Sequence, residues 1–480
     1  MKKSLARLAV KGGVISPGEL KECIDLAESV GMNAISFGSR QDIILPSKLP
    51  DKIPNRSNEP EIILPELKGN ENIVSSYVSA DIFPATSWLT SSRYLYILEQ
   101  FNFHSSLKIN ITDPLQRLVP LFTGHLNFIA SSHDDYWYLY IRLTEWEKME
   151  MYPALINSWD MGKIAFNIEK LLKEEPDSIE MIFELLNDLV ITENRNFDKP
   201  LDIPYHPFPY YEGMNKLNLD KYWLGLYWRN NLYDLTFMKN MCERCMENQI
   251  GKICITPWKS FIIKGIPKYE KLEWEKFLGS FGINVRHSLL ELNWHLPVGD
   301  TEALDLKKFL VRTFDQNDIS TYGLTFGVTD YLREDFYFTS IVIEKNQSPK
   351  TVSSFQIRNT YNVLYAENFD PNNREYIVYV QDIDKIELPI VLMELSKMYF
   401  KQLGSTKKKN ESKKEEIKEI EIFVHQCPDC MTIYDPEYGD ETQDIPPNVP
   451  FSELPEDYSC NLCNTAKRSF IEKPIVKSMD

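Results

Sequence analysis

The sequence is poor in cysteine, in long apolar runs and in positive charge. Its eight cysteines among 480 residues are too few for a disulfide scaffold, and no apolar run reaches the roughly 20 residues of a membrane-spanning helix. A net charge of −17 argues against nucleic acid or an anionic membrane as the main partner. The length predicts roughly two to four domains.

The start of the chain, MKKSLARLAVKGG, lacks the continuous apolar core of a signal peptide, because Arg7 and Lys11 interrupt it. We therefore expect a cytoplasmic protein with no nucleic-acid or membrane partner. Thiols stay reduced in that compartment, so paired cysteines are more often metal ligands than disulfides. The sequence also contains no P-loop, dinucleotide fingerprint, HExxH or nucleophile-elbow pattern.

Four of the cysteines form two C-x2-C pairs near the end of the chain. Cys427 and Cys430 are separated by 29 residues from Cys460 and Cys463. A two-residue spacer lets one tight loop present both sulfurs to a single ion, and two such loops complete a tetrahedral S4 site. The spacing predicts a metal centre that suits iron or zinc.

The segment between and around these pairs resembles rubredoxin. The shared features are Cys-Pro-x-Cys, the turn Tyr434-Asp435-Pro436, Gly439-Asp440, Phe451, Leu454-Pro455, Tyr458, the second pair, Lys467 and Phe470. The resemblance implies a short three-stranded sheet and one iron held by Cys427, Cys430, Cys460 and Cys463. That iron would cycle between the ferrous and ferric states in one-electron transfer.

The same segment buries too little apolar surface to fold without an additional cross-link, and a thiolate-bound metal ion supplies one. We expect an aromatic core of Tyr434, Phe451, Tyr458 and Phe470. Met431 and Asn464 stand where the family usually has glycine with positive φ, and asparagine tolerates that conformation better than methionine. A zinc ribbon without a redox role is the alternative, because zinc suits the same ligands.

Acidic residues outnumber basic ones in this segment. We predict that Asp429, Glu437 and Asp457 steer basic redox partners toward the metal; a merely soluble acidic surface is the alternative. The preceding residues 404–421, rich in Lys and Glu, predict a flexible or partly helical linker. The rubredoxin domain is then expected over residues 422–475.

The first 403 residues predict an α+β body. SPGELKECIDLAESVGM indicates a helix capped by Ser16 and Glu19 and ended by Gly31, and a strand-like segment follows it. A similar order recurs from ITPWKSFIIKGI through the helical LEWEKFLGSFGI to NVRHSLLELNWHLP, which we interpret as a strand. The pattern indicates an internal duplication.

These segments resemble the ferredoxin-like half-domains of nitrite and sulfite reductases and of a related cobalamin-pathway synthase. The resemblance implies a duplicated half-domain body, with halves at residues 1–245 and 246–403. The family's anion- and sirohaem-binding positions match Arg40 in GSRQD and, more distantly, Lys108 in LKINITDP. Alternatively, Arg40 pairs with a carboxylate at a domain seam.

The body departs from those reductases in its cysteines. They bind a four-iron cluster through a C-x5-C pair and a C-x3-C pair, whereas the body has only Cys23, Cys242, Cys245 and Cys254. Cys23 is expected to be a buried structural thiol, and the role of the other three stays open, since three thiols need a fourth ligand. The pattern predicts neither sirohaem nor a four-iron cluster.

The sequence therefore predicts an electron carrier with one iron ion and a degenerate reductase-like body. Its donor and acceptor would be redox proteins, such as a nitrate, nitrite or sulfite reductase in nitrogen or sulfur assimilation. Two alternatives remain: a sirohaem- or tetrapyrrole-binding reductase with a built-in rubredoxin, and a zinc-stabilised binding module.

Overall fold

The structure, a computed structural model, describes residues 6–45, 62–63, 71–143, 146, 148–174, 176, 178–330, 337–346, 359–414, 420–436 and 438–477. It divides into two compact units, which we call the body (Met1–Lys397) and the C-terminal unit (Met398–Asp480). Each unit is described by itself.

The first half-domain of the body is built around one capped helix. Ser16 Oγ accepts a hydrogen bond from the Glu19 backbone N–H at 3.2 Å, and Glu19 Oε2 accepts one from the Ser16 N–H at 2.9 Å, which confirms the predicted capping box. Its elements are β1 (Ala6–Leu8), β2 (Val14–Ile15), α1 (Pro17–Ser29), β3 (Ala34–Phe37), β4 (Ile43–Leu45) and β5 (Ile62–Ile63).

An α+β lobe follows this half-domain, and its central strands are buried along nearly their whole length. Its elements are β6 (Ile73–Ser75), α2 (Ser91–Glu99), β7 (Ile109–Thr112), β8 (Leu126–Ala130), β9 (Tyr136–Ile141), β10 (Glu150–Met151), β11 (Ile156–Asn157), α3 (Met161–Leu171) and α4 (Ile179–Leu189).

The second half-domain and its lobe complete the body. The half-domain comprises β12 (Gly213–Lys216), β13 (Lys221–Tyr227), β14 (Tyr233–Asp234), α5 (Leu235–Glu247), β15 (Ile253–Ile255), β16 (Ser260–Pro267), α6 (Lys271–Ser280) and α7 (Leu289–Leu292). The lobe comprises β17 (Trp294–His295), α8 (Thr301–Gln316), β18 (Phe326–Asp330), β19 (Ile341–Lys345), β20 (Thr360–Ala366) and β21 (Tyr376–Asp384). The helix α9 (Leu388–Lys414) then runs across the boundary between the units.

The sheet order shows the duplication directly. The lobe sheets, β6-β7-β8-β9-β10 and β17-β18-β19-β20-β21, have the same order and the same two parallel and two antiparallel pairings. The half-domain sheets also match, as β14-β3-β4-β1-β5 and β2-β15-β16-β13-β12. Each half lends one short strand to the other's sheet, so the two halves form a single body.

The register of the repeat differs from the prediction. The sequence pattern matched residues 15–46 to residues 255–297, whereas in the sheet orders the strands β1, β2, β3 and β4 correspond to β13, β14, β15 and β16. The helix equivalent to α1 is α5, which precedes the strand pair of ITPWKSFIIKGI, and α6 is an addition. The predicted boundary after residue 245 falls inside α5, so we propose that the second half begins before β12.

One predicted strand is wrong over most of its length. NVRHSLLELNWHLP contains the short helix α7, and only Trp294–His295 is a strand. The backbone N–H of His287 donates to Glu212 Oε2 at 2.7 Å, which fixes the segment before α7 by a contact distant in sequence. A local pattern carries no signal of that contact.

The C-terminal unit contains a three-stranded antiparallel sheet in the order β23-β22-β24. Its strands are β22 (Ile420–Gln426), β23 (Ile433–Tyr434) and β24 (Ile471–Lys477). Cys427 follows directly after β22. Part of the predicted linker 404–421 belongs to α9, and residues 415–419 lie outside the described residues.

Candidate metal centre

The four cysteines of the C-terminal unit converge on one point. Their sulfurs all lie within 4.8 Å of one another, the only such group of potential metal ligands found among the described residues. The Cys427–Cys463, Cys430–Cys460 and Cys430–Cys463 sulfur separations are 3.4, 3.3 and 3.4 Å. With metal–sulfur bonds of about 2.3 Å, a tetrahedral S4 site has edges of about 3.8 Å. The donor set therefore fits one tetrahedral iron or zinc ion.

Two equivalent backbone loops hold these sulfurs. In the first, Cys427 N–H donates to Thr432 O at 2.8 Å and Met431 N–H donates to Cys427 O at 3.0 Å. In the second, Cys460 and Asn464 make the same two bonds to Thr465 O and Cys460 O, both at 2.8 Å. Met431 and Asn464 have φ of +63° and +60°, which confirms that they occupy the two positions where the family favours glycine.

Each loop also places a threonine hydroxyl against a ligand sulfur. Thr432 Oγ1 lies 3.1 Å from Cys430 Sγ, and Thr465 Oγ1 lies 3.0 Å from Cys463 Sγ. Hydrogen bonds from the Thr432 hydroxyl and backbone N–H lower the pKa of Cys430 to about 6. Thr465 acts in the same direction on Cys463, but partial desolvation and hydrogen bonding with Cys430 and Cys427 raise the pKa of that thiol to about 11. A bound cation would favour the thiolate form of all four cysteines.

The two hydroxyls are not among the predicted site residues, although the pattern C-x2-C-x-T occurs in both CPDCMT and CNLCNT. They are not equivalent in the structure. Thr465 also donates to Asp429 Oδ2 at 2.6 Å, so its single proton is shared between a carboxylate and a sulfur. Thr432 has no second side-chain partner among the described residues, so it is the stronger donor to sulfur.

We expect Thr432→Val to lower the reduction potential of the bound iron by about 20–60 mV, the electrical equivalent of one hydrogen bond. A donor to sulfur stabilises the more negative ferrous form, and its removal favours the ferric form. Thr465→Val is the matched control and should have the smaller effect, because Asp429 competes for its proton. A spectroelectrochemical titration measures both, and an unchanged or raised potential in Thr432→Val would contradict this assignment.

The predicted aromatic core supports the loops from one side. Tyr434, Phe451 and Tyr458 are buried together with Ile445 and Leu454, and Phe470 packs against them. Tyr434 lies 5.7 Å from both Phe451 and Tyr458 between ring centroids. This core is small, so the domain depends on its metal for much of its stability.

One glycine in the unit is required by its surroundings. Gly439 has φ of +70°, and a Cβ there would lie 2.5 Å from Ile445 O and 2.6 Å from Pro446 O. Next to it, Asp440 is 7 % exposed and accepts hydrogen bonds from the Thr442 backbone N–H at 3.0 Å and from the Tyr458 hydroxyl at 3.2 Å. The Gly-Asp pair thus ties the intervening loop to the aromatic core.

The three acidic residues predicted to dock a partner differ in position and in contacts. Asp429 is exposed beside the metal loops, but its carboxylate is bonded to Thr465 and joins the two loops. Asp457 is exposed, just before Tyr458 and Cys460. Glu437 lies outside the described residues. Their role in docking stays a prediction.

The two predicted anion-binding residues of the body lie in one small cavity. Arg40 and Lys108 line about 140 Å³ together with Arg7 and Glu71. This volume is below the roughly 300–1,000 Å³ of typical organic-ligand pockets. It leaves room for a small oxyanion, and whether one binds stays a prediction.

Arg40 also has a clear structural role. Its guanidinium donates to Asn110 Oδ1 at 2.7 Å, Asn72 O at 2.7 Å and Ile109 O at 2.9 Å, and burial lowers its pKa to about 10. The predicted alternative named a carboxylate partner, but these bonds go to an amide and two carbonyls. Arg40 therefore fastens the half-domain loop to the first lobe.

The body cysteines are buried core residues. Cys23, Cys242 and Cys245 belong to the core around α1 and α5, and Cys254 belongs to the core of the first lobe. Burial raises the pKa of Cys23 and of Cys242 to about 12, which disfavours the thiolates that metals require. Cys23 is buried as predicted. Separately, no helix in the described part of the chain is long and apolar enough to cross a membrane.

Comparison with known proteins gives different results for the two units. The rubredoxin family model matches residues 424–470. The chain is 43 % identical over 51 residues to a probable rubredoxin of Methanothermobacter thermautotrophicus, covering 11 % of this chain and 78 % of that protein. It is 32 % identical over 90 residues to the anaerobic nitric oxide reductase flavorubredoxin of Aliivibrio fischeri, covering 19 % of this chain and 16 % of that one. The chain spans a fifth or less of the length of this and other larger relatives.

The body is recognised through its fold. The NirA protein of Mycobacterium tuberculosis superposes with a TM-score of 0.60 and 11 % identity, covering 81 % of this chain and 79 % of that one. At this identity the likeness shows a shared fold only, which confirms the predicted reductase-like body. Through its C-terminal domain, with four converging cysteines and a matching family model, the chain belongs to the rubredoxin family.

Proposed function

We propose that the protein is a one-electron carrier whose C-terminal domain holds a single iron ion. The observation that carries the proposal is the S4 group of Cys427, Cys430, Cys460 and Cys463, placed in two hydrogen-bonded loops. When bound there, iron supplies a ferrous/ferric couple. The loops hold the ligand set fixed in both states, which keeps structural change during electron transfer small.

Exposure at the centre supports transfer to a partner protein. Cys427 and Cys460 are buried, whereas Cys463 is exposed. Leu462 and Met431, which flank Cys463 and Cys430 in sequence, are 74 % and 60 % exposed. An apolar patch at the exposed ligand, with acids such as Asp457 nearby in sequence, fits a redox partner with a basic rim.

The proposed pathway is inorganic nitrogen or sulfur reduction. The body shares its fold with NirA, and the flavorubredoxin similar to the C-terminal domain is named as an anaerobic nitric oxide reductase. We propose that the body docks a nitrate, nitrite or sulfite reductase in the cytoplasm, while the C-terminal domain delivers electrons. The body would then be a degenerate relative of the enzyme that it serves.

A pigment extraction separates this carrier from the rival candidate, a tetrapyrrole-binding reductase. We expect no stoichiometric sirohaem in protein expressed with sirohaem available, because the body lacks the C-x5-C and C-x3-C cysteines of the reductase family. Reduced methyl viologen should then support no turnover of nitrite or sulfite. One sirohaem per chain with turnover of either anion would replace the carrier by the enzyme.

A further inference from the structure

A large cavity in the second half of the body contains a buried lysine whose ammonium has no hydrogen-bond or ion-pair partner among the described residues. The cavity measures about 680 Å³ and lies among the end of β13, the β15–β16 loop and the start of α8. Lys259 lines it and is 7 % exposed. Within the described residues, no acceptor lies within hydrogen-bond distance of its ammonium. Such a group is costly to bury unless something else compensates its charge.

The internal duplication provides a position in the first half that is equivalent to Lys259. Gly38 N–H donates to Asp42 O at 2.9 Å in the β3–β4 loop, and Thr256 N–H donates to Ser260 O at 2.9 Å in the β15–β16 loop. This match makes Lys259 the counterpart of Gln41, and both have positive φ, +60° and +58°.

Gln41 is fully bonded within the protein. Its Nε2 donates to Ser75 O at 3.0 Å and Ile255 O at 2.9 Å, and its Oε1 accepts from the Ser75 N–H at 2.8 Å. Lys259 makes no such bonds. The backbone at Lys259 is nevertheless held in place, because the Tyr233 hydroxyl donates to Lys259 O at 2.8 Å. The second half thus presents a fixed cation where the first half has a closed contact.

The remaining cavity walls combine aromatic faces with a helix terminus. Trp228, Trp258 and Trp294 all line the cavity, as does Thr301 at the first turn of the sixteen-residue helix α8. The α8 N-terminus already faces the carboxylate of its cap Asp300, which leaves Lys259 as the group that attracts an anion, and indole faces pack against flat ring systems. Together these groups select a ligand that is both planar and negatively charged.

The other charged groups at the cavity are already engaged. Lys307 Nζ lies 3.3 Å from Glu291 Oε2, and Arg229 Nε lies 3.0 Å from Glu291 Oε1. Asp300 caps its own helix by accepting from the Ala303 N–H at 3.0 Å. Lys259 is therefore the cation of the cavity lining that the described protein groups leave uncompensated.

We propose that this cavity binds a planar organic anion, a conjugated ring system carrying a phosphate or carboxylate group that pairs with Lys259. Two sources share that chemistry: a flavin phosphate and a tetrapyrrole carboxylate. The site is separate from the small cavity at Arg40 and Lys108. The proposal also stands independently of the function assigned to the iron domain.

Isothermal titration calorimetry of the whole chain tests the proposal with four probes: flavin mononucleotide, coproporphyrin III, lumiflavin and inorganic phosphate. We expect flavin mononucleotide or coproporphyrin III to bind at one site per chain, and to bind more tightly than lumiflavin or phosphate alone. Lys259→Met should weaken this binding roughly tenfold to a hundredfold, the usual value of a charge-assisted hydrogen bond. Lys252→Met, at an exposed lysine of the same half-domain, is the matched control.

The pH dependence of the binding affinity gives a second readout that a purely structural role of Lys259 would not produce. Burial lowers the pKa of Lys259 to about 7, and the positive charge of Lys307 contributes less in the same direction. Asp42 and Asp300 oppose the shift. An anion binds the protonated form, so affinity should fall as pH rises from 7 toward 9, and Lys259→Met should abolish this trend. The charged and titratable groups around Lys259 are Asp42, Arg229, Glu291, His295, Asp300 and Lys307.

The outcomes are distinct. Binding of either planar anion with loss in Lys259→Met supports the site, and the better of the two identifies the source. Lys259→Gln, which copies the residue of the first half, guards against misfolding of the methionine variant. Failure of both planar anions to bind, equal binding by phosphate or lumiflavin, or binding that survives both Lys259 substitutions would overturn the proposal.

Discussion

Replacing Cys430 or Cys460 by serine should abolish stoichiometric iron binding and unfold the C-terminal domain while the body stays folded. Serine removes one thiolate from a four-thiolate set, and three sulfurs leave the ion incompletely held. The aromatic core of the domain is small, so metal binding supplies much of its folding free energy. The body has its own extensive cores around residues such as Trp137 and Trp274.

Iron analysis and hydrogen exchange together check this prediction. We expect iron to fall from one per chain to nearly zero, and amide protection to vanish in residues 420–477 but persist in the body strands. Cys242→Ala is the control, because it removes a buried body thiol and should leave the iron content unchanged. A full complement of iron in either serine variant would disprove the ligand assignment.

Reversing the charge of two predicted docking acids should slow electron transfer about tenfold at low salt. The change is Glu437→Lys with Asp457→Lys, and cytochrome c serves as a basic one-electron acceptor. Acids near an exposed iron ligand raise the rate of encounter with a basic partner, and their reversal turns attraction into repulsion. The absorption spectrum of the iron should stay the same, because neither residue is a ligand.

Stopped-flow mixing across a salt series measures the effect. The rate of the unmodified protein should fall as salt rises, because the screening length is only about 8 Å at 0.15 M ionic strength. A double variant of the body acids Glu184 and Asp188, both to lysine, makes the same net charge change as a control. If the rate is flat with salt, or if both double variants slow transfer equally, Glu437 and Asp457 have no steering role.

The C-terminal domain could be predicted in detail because its structure follows from local chemistry. Two C-x2-C loops must turn tightly to face one ion, and the resemblance to rubredoxin, which usually has glycine after each pair, implied the positive φ at Met431 and Asn464. The aromatic core could be predicted because aromatic side chains carry much of the apolar surface that this short segment can bury. Sharing of the Thr465 proton with Asp429 could not be predicted, since it depends on the approach of two loops separated in sequence.

The body was predictable in class but not in arrangement. A capped helix such as Pro17–Ser29 carries its own start and stop signals, and it appeared where expected. The exchange of β2 and β14 between half-domain sheets has no such signal, because a two-residue strand is defined only by its distant partner. The same reason explains α7 and the isolation of Lys259, a lysine whose burial depends on the packing of β13, α8 and the β15–β16 loop.

The most direct test of the central claim is the ultraviolet-visible spectrum of the purified chain, recorded with its metal content. We expect one iron per chain and the red colour of a ferric tetrathiolate, which bleaches on reduction by one electron. A colourless protein with one zinc would contradict electron transfer and leave a zinc-stabilised binding module. An intense Soret band from one sirohaem per chain, together with turnover of nitrite or sulfite, would contradict the degenerate body and establish a tetrapyrrole-dependent reductase.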